Sequence, residues 1–184
     1  NRPEDMKTGR KMVLADRGGL YLDPLPGVHE MVYELDFSSL FPSIIATRNI
    51  SPETVNCTCC SPSVVDRWVE PLPLSSEHAA AEICMRRSQQ EGMVVPELGY
   101  HTCMRRHGFL GRVVSPIIAM RSELKKRVET KGDPWDRRQN ALKWLLVTCF
   151  GYTGYRNARF GRIECHEAIC SWSRDILLGA KSVA

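Results

Sequence analysis

One carboxylate in the first quarter of the chain stands where a divalent cation could be bound. The alternation of apolar and polar residues predicts a strand over residues 31–37, which presents Asp36 at its end. Small polar residues follow, and Pro42 predicts the first turn of a short apolar helix. The Asp36 carboxylate and the Phe37 carbonyl would then lie beside free helix N–H groups, which suits a hard cation carrying phosphates. An isolated aspartate in such a place more often forms a turn or caps a helix.

Basic residues are concentrated in the second half of the chain. Residues 104–143 contain eleven Lys and Arg against four Asp and Glu, a net charge of +7, whereas the whole chain carries +4. A concentrated positive charge indicates a polyanionic partner. Within this stretch Arg121 and Lys125 are four residues apart and share one face of a predicted helix. Lys143 lies on the next helix, where a single lysine is usually only a surface residue.

Capping signals divide this basic stretch into two helices. Ser115-Pro116 and Asp133-Pro134 are each an N-cap followed by proline at the first helical position, and Gly132 ends the first helix. The short connection predicts an antiparallel hairpin, with Gly151 interrupting its second helix. In full, helices are predicted over residues 42–48, 115–131, 134–150 and 164–180, and a further one starts near Ser75 or Ser76 and runs through residues 78–87.

The composition describes an ordinary globular protein. Of the 184 residues, 43% are hydrophobic and 25% are charged, and no apolar run approaches the ~20 residues of a membrane span. The first residues have no signal-peptide core, so a cytoplasmic location is expected, with no membrane partner.

The motif that begins at Asp36 resembles a known catalytic motif. It reads Asp36-Phe37-Ser38-Ser39-Leu40-Phe41-Pro42-Ser43-Ile44-Ile45. The first motif of family B DNA polymerases is Asp-hydrophobic-x-Ser-Leu-Tyr-Pro-Ser-Ile-Ile, which differs here only by Phe41 in place of Tyr. The resemblance implies two Mg²⁺ ions bound in part by Asp36 and Phe37, and a deoxynucleoside triphosphate bound by Ser39, Leu40 and Phe41. The Phe41 ring would pack beneath the sugar and exclude a 2′-hydroxyl.

A second motif resembles the same family with substitutions. The family form is Lys-x-x-x-Asn-Ser-x-Tyr-Gly, and here Lys143 and Gly151 are kept while Val147 replaces Asn, Thr148 replaces Ser and Phe150 replaces Tyr. The resemblance implies that Lys143 contacts the triphosphate and protonates the leaving pyrophosphate. It also implies nucleotide contacts from Val147 and Phe150, and a grip on the β- and γ-phosphates by Arg121 and Lys125.

Other segments resemble the DNA contacts of archaeal members. Residues 152–160 match Tyr-Thr-Gly-Tyr-x-x-Ala-Arg-Trp except for Phe160 in place of Trp, and a Gly-Gly pair precedes the first motif. The implied partner is primer–template DNA, at the nucleoid. The implied DNA-binding residues are Gly18, Gly19, Gly151, Tyr152, Thr153, Gly154, Tyr155 and Arg159.

The resemblance also implies an α+β fold. A polymerase palm segment, an antiparallel β-sheet with helices, would occupy residues 1–110 and include a cysteine-bearing insertion. The helical hairpin of residues 111–150 would form the fingers subdomain, and residues 151–184 would return to the palm.

The family's third motif, Tyr-Gly-Asp-Thr-Asp, has no counterpart in these residues. Because that motif supplies the second metal-binding aspartate, the chain is expected to be a partial polymerase. It would be a fragment, a split half whose second polypeptide carries the remaining palm and thumb, or an inactivated paralogue. Val147 and Phe150 favour a catalytically inactive DNA-binding or assembly module. The intact residues of the two motifs and the basic helix favour a DNA polymerase: Asp36, Arg121, Lys125 and Lys143.

The state of the cysteines stays open at this point. Structural Zn²⁺ is one alternative, although Cys-x-Cys-Cys lacks the usual Cys-x-x-Cys spacing of zinc hairpins. A disulfide, as in some thermophilic archaeal members of the family, and free thiols are the others. The candidate residues are Cys57, Cys59, Cys60, Cys84 and Cys103.

Overall fold

A computed structural model describes residues 18–60, 94–131, 133–155 and 157–183. Within these ranges the regular structure is helical, with two isolated antiparallel bridges, Val55 to Thr102 and Val94 to His101. The predicted helix over residues 78–87, and Cys84 with it, lies outside the described residues. The described helices are α1 (Leu40–Thr47), α2 (Phe109–Lys131), α3 (Asp133–Thr153) and α4 (Ile163–Val183).

The predicted strand over residues 31–37 is not formed. Its backbone has no regular structure, and the Tyr33 and Leu35 side chains are 85% and 87% exposed. Residues 20–22, where Leu20-Tyr21-Leu22 also predicts a short strand, likewise have no regular structure. A strand is stabilised by hydrogen bonds to a neighbouring strand and by burial of one face, and none of the described residues supplies either to these segments.

The helical hairpin is present, with different boundaries. Helices α2 and α3 are separated by one residue and make the most extensive helix-to-helix contact in the described part of the chain. Helix α2 begins at Phe109 rather than at Ser115, so Pro116 lies inside it. The Ser115 hydroxyl donates to the carbonyl of Gly111 at 2.7 Å and does not cap the helix. Helix α3 continues through Gly151 to Thr153.

The true start of α2 is capped by a distant segment. The N–H of Gly108 donates to Asn49 Oδ1 at 2.7 Å, that of Phe109 to Glu53 Oε1 at 2.6 Å, and that of Leu110 to Ser51 Oγ at 3.4 Å. Residues 49–53, the capping segment, therefore satisfy N–H groups that have no partner within the helix. Packing there is close, since a Cβ on residue 108 would lie 2.5 Å from the Ser51 Cβ.

Helices α1 and α4 form the centre of the core. Ile44, Ile45 and Ile169 are fully buried and pack in one cluster with Val114 of α2 and Leu146 of α3. Val114 and Leu146 thus anchor the hairpin in the core. Arg48, at the end of α1, places its guanidinium 4.0 Å from the centre of the Trp172 ring of α4.

Polar contacts attach α4 to the segment around residues 96–100. The Tyr100 hydroxyl donates to Glu167 at 2.8 Å, and burial together with this carboxylate raises the pKa of Tyr100. Arg174 is paired with Glu97 at 2.8 Å and also donates to the carbonyl of Gly18 at 2.9 Å. The most apolar helices described are still too short or too polar to cross a membrane.

Candidate active site and cysteine cluster

Asp36 lies on an exposed segment directly before α1. The turn at Ser38 and Ser39 follows it, and Ser39 takes the left-handed conformation with φ of 55°. The N–H of Ser43 donates to the Ser39 carbonyl at 2.9 Å, which closes the first turn of α1. The Asp36 carboxylate is therefore presented to solvent next to a helix start, where oxygen ligands for a cation are accessible.

Arg121 connects the hairpin to this motif. Its guanidinium donates to the Ser39 hydroxyl, and the residue is only 8% exposed. Lys125, one turn further along α2, is exposed, and so is Lys143 on α3. The structure thus places one of the predicted phosphate contacts against the motif and leaves the two lysines in solvent.

A stack of three rings joins α1, α3 and α4. Phe41 and Phe150 lie 4.2 Å apart between ring centres with planes inclined by 18°, and Phe150 and His166 lie 4.6 Å apart at 20°. Thr153 donates to the Phe150 carbonyl at 2.6 Å and lies 3.5 Å from His166 Nδ1. The two aromatic residues predicted to contact nucleotide are in contact with each other. The participation of His166 was missed, because no sequence motif singled it out.

The outer surface of α3 carries the remaining residues of the second motif. Lys143, Val147 and Gly151 recur every fourth residue and are all exposed, Val147 by 47%. A Cβ on Gly151 would meet no heavy atom within 4 Å. This surface is open to a ligand.

The residues predicted to contact DNA are divided between surface and interior. Tyr152 and Tyr155 are about half exposed and meet edge to face at 5.8 Å, whereas Thr153 is buried. Gly154 packs against His166, since a Cβ there would lie 3.0 Å from its ring. Gly18 and Gly19 are exposed, and Gly18 has φ of 60°.

Arg159 lines an open cleft of about 540 Å³ together with Arg106 and Arg162. Arg162 has a structural role, donating to the carbonyls of Pro52 at 2.6 Å and Val55 at 2.9 Å. Arg106 and Arg159 are exposed at the cleft, which gives it a positive lining suited to a phosphate backbone.

Four of the five candidate cysteines meet at one point. All four Sγ atoms lie within 4.8 Å of one another, with Cys59 at 3.4 Å and Cys60 at 3.9 Å from Cys103. All are free thiols. This group, the cysteine cluster, consists of Cys57, Cys59, Cys60 and Cys103.

The cluster contains thiols of different acidity. Burial and the neighbouring Cys60 and Cys59 thiols raise the pKa of Cys57 to about 12. Burial acts in the same direction on Cys103, but backbone N–H groups of Arg105 and Arg106 and the Cys59 thiol lower its pKa to about 6. Cys103 therefore ionises more readily than Cys57.

Comparison with known proteins agrees with the sequence motifs. Residues 4–184 match the family model of DNA polymerase family B, so the chain belongs to this family.

Among its relatives, DNA polymerase 2 of Saccharolobus solfataricus is 32% identical over 183 residues, which is 100% of this chain and 23% of that protein. DNA polymerase 1 of Pyrococcus abyssi is 30% identical over 182 residues, 96% of this chain and 20% of that protein. The chain therefore spans about a fifth of the length of these relatives.

The fold is similar to that of the family B DNA polymerase from the hyperthermophilic archaeon Pyrobaculum calidifontis. The TM-score is 0.60 at 25% sequence identity, covering 100% of this chain and 21% of that structure. The predicted resemblance to archaeal family B polymerases is thus confirmed in both sequence and fold.

Proposed function

We propose that this chain is part of a DNA-directed DNA polymerase that transfers nucleotides to a primer strand. The observation that carries the proposal is the contact of the hairpin with the Asp36 motif, through Arg121 with Ser39 and Phe41 with Phe150. In this proposal residues 111–150 are the fingers, and residues 1–110 and 151–184 belong to the palm. The palm sheet would form when the segment of residues 31–37 is paired with further strands.

Asp36 and the Phe37 carbonyl are the proposed ligands for Mg²⁺. The fit rests on their oxygen donors and on the exposure of the carboxylate beside the start of α1. Bound metal ions would activate the primer 3′-hydroxyl and neutralise the leaving pyrophosphate. Two ions need more than one carboxylate, so the remaining ligand is expected from polypeptide outside these 184 residues, in the same chain or in a second one.

The incoming nucleotide is proposed to lie between α1 and the exposed surface of α3. Lys143 would bind the triphosphate and supply the proton for pyrophosphate, while Arg121 and Lys125 bind its outer phosphates. The Phe41 and Phe150 rings would contact sugar and base respectively, with Ser39 and Leu40 supplying backbone contacts. Val147 provides an apolar contact where an amide is usual in the family.

Primer–template DNA would be bound next to this site, at the nucleoid. Tyr152, Tyr155 and Arg159 are proposed as direct contacts, because all three side chains are exposed and Arg159 lines the positively charged cleft. Gly18, Gly19 and Gly151 would allow close approach of the sugar–phosphate backbone, while Thr153 and Gly154 would position the neighbouring tyrosines from within.

Primer extension by the full-length protein tests this function. Asp36→Ala is expected to reduce extension by about 10³-fold or more, since a metal ligand contributes several kcal/mol to transition-state stabilisation. Glu34→Ala is the matched control, because Glu34 is also an exposed acid and lies two residues earlier. Extension that is absent in the wild type, with DNA binding intact, would instead support an inactive DNA-binding module.

A further inference from the structure

We propose that the cysteine cluster binds one Zn²⁺ as a structural site, separate from the catalytic metals. The spacing of the sulfur atoms carries the inference. A tetrahedral Zn²⁺ with bonds of ~2.3 Å places its four sulfur ligands roughly 3.8 Å from one another. The Sγ atoms of Cys59 and Cys60 lie 3.4 Å and 3.9 Å from that of Cys103, and no two of the four are more than 4.8 Å apart, so the separations fit this value.

The arrangement fits a metal better than it fits a disulfide. The Cys59 and Cys103 sulfur atoms are 3.4 Å apart, well beyond the ~2.05 Å of a covalent S–S bond. A disulfide would use two of the thiols and leave two others crowded beside it. Four mutually adjacent thiols, in contrast, complete the coordination shell of a closed zinc site.

The ligands come from two segments that backbone hydrogen bonds hold together. The N–H of Asn56 donates to the His101 carbonyl at 2.8 Å, and the N–H of Cys103 donates to the Thr54 carbonyl at 2.9 Å. Val55 and Thr102, which pair between these bonds, are fully buried. This bridge brings Cys103 to the other three cysteines across more than forty residues of sequence.

Outer contacts to the ligands are also in place. The guanidinium of Arg106 lies 3.7 Å from Cys59 Sγ, and the His101 ring lies 3.7 Å from Cys57 Sγ and 3.1 Å from the Cys57 carbonyl. Four thiolates and one Zn²⁺ carry a net charge of −2, and the single positive charge of the guanidinium offsets half of it. Such outer partners orient metal ligands and stabilise their charged form.

The site is connected to the base of the hairpin. Asn49 Nδ2 donates to the carbonyls of Cys103 at 2.7 Å and Arg106 at 2.8 Å, while Asn49 Oδ1 accepts the Gly108 N–H. A metal that fixes Cys103 would therefore also fix the residue that caps α2. The inferred role of the zinc is to hold the loop of residues 101–108 against the capping segment.

Metal analysis of the full-length protein, purified without chelator or added metal, is the direct test. One equivalent of zinc per chain is expected, and Cys103→Ser should lower the zinc content at least about tenfold. Cys149→Ser is the matched control, because Cys149 is half-buried on α3 outside the cluster and should leave the zinc content unchanged. Removal of zinc should lower the unfolding temperature of the wild type and of Cys149→Ser equally.

If Cys103→Ser does not fold, titration of the metal-free wild type with Co²⁺ tests the metal site directly. One equivalent should produce the sulfur-to-cobalt charge-transfer band and the visible bands of a tetrahedral thiolate site. Wild-type protein that contains no zinc and does not give that spectrum would overturn the proposal. So would iron in place of zinc, or a disulfide at Cys103 found by peptide mapping under non-reducing conditions.

Discussion

The proposed catalytic residues and the base of the hairpin differ in how they are held. Asp36, Lys125 and Lys143 are exposed, so their side chains contribute little to folding. Asn49, Glu53 and Gly108, in contrast, take part in a network of hydrogen bonds and close packing. Different residues therefore contact the substrate and support the hairpin, and the two sets should respond differently to substitution.

Arg121 is the residue that belongs to both groups. It is buried and bonded to Ser39, yet it is also a proposed phosphate contact. Arg121→Ala is expected to lower nucleotide use by about 10³-fold, by losing a charge at the transition state, and stability by about 2 kcal/mol, by losing a charged hydrogen bond. Steady-state kinetics and urea unfolding measure the two effects, with exposed Lys126→Ala as control. Slower nucleotide incorporation with unchanged stability would show that Arg121, like Lys125 and Lys143, acts on the substrate and does not support the fold.

Lys143→Ala should affect catalysis alone. Loss of a proton donor to pyrophosphate is expected to reduce kcat/KM for the nucleotide about 100-fold, with stability changed by less than about 0.5 kcal/mol. Single-nucleotide incorporation and DNA-binding assays measure the effect, and Lys181→Ala in the last turn of α4 is the control. Equal weakening of nucleotide use and DNA binding would make Lys143 a general phosphate contact.

Asn49→Ala should affect stability first. The substitution removes three hydrogen bonds, to Gly108, Cys103 and Arg106, and places alanine at a left-handed φ of 51°. A loss of about 2 kcal/mol in the free energy of unfolding is expected. Urea unfolding tests this against Asn157→Ala, which removes one long 3.5 Å contact at the surface. Similar stability of the two variants would show that α2 does not depend on its distant cap.

Glu53 gives the smallest effect and a pH dependence. Burial opposes its ionisation, but hydrogen bonds from the Ser51 hydroxyl and the Phe109 N–H lower its pKa below the usual 4.5. Its carboxylate therefore stabilises the fold fully above pH 4.5, and this contribution is lost as the pH falls through the lowered pKa. Glu53→Gln should be less stable than wild type at pH 7 by about 1 kcal/mol or less, with the difference vanishing in acid. A difference that is constant from pH 7 to pH 3 would exclude the carboxylate as its cause.

Local signals predicted the helices better than their ends. Residues 164–180 were expected to be helical, and α4 spans Ile163–Val183. The start of α2 was placed at Ser115 because Ser-Pro is a strong local cap signal, whereas its caps come from residues more than fifty positions earlier. Such a cap depends on tertiary packing, which no short window of sequence contains.

The candidate site could be predicted where residues share one helix. Lys143, Val147 and Gly151 recur every fourth residue, and this spacing alone places them on one surface of α3. The convergence of Cys103 with Cys57 depends on the Val55 to Thr102 bridge, and the ring stack with His166 depends on how α3 packs on α4. The strand over residues 31–37 was predicted from alternating apolar and polar residues. This pattern is typical of a strand, but it does not supply the partner strand that a strand needs.

The distant cap of α2 sets a limit on how this protein can be recombined with others. A hairpin exchanged with another family member from residue 108 onward would meet Asn49, Ser51 and Glu53 arranged for a different helix start. With alanine at position 108 it would also collide with Ser51. The unit that can be transplanted intact therefore consists of two pieces, residues 49–53 and residues 108–153, although they are far apart in the gene.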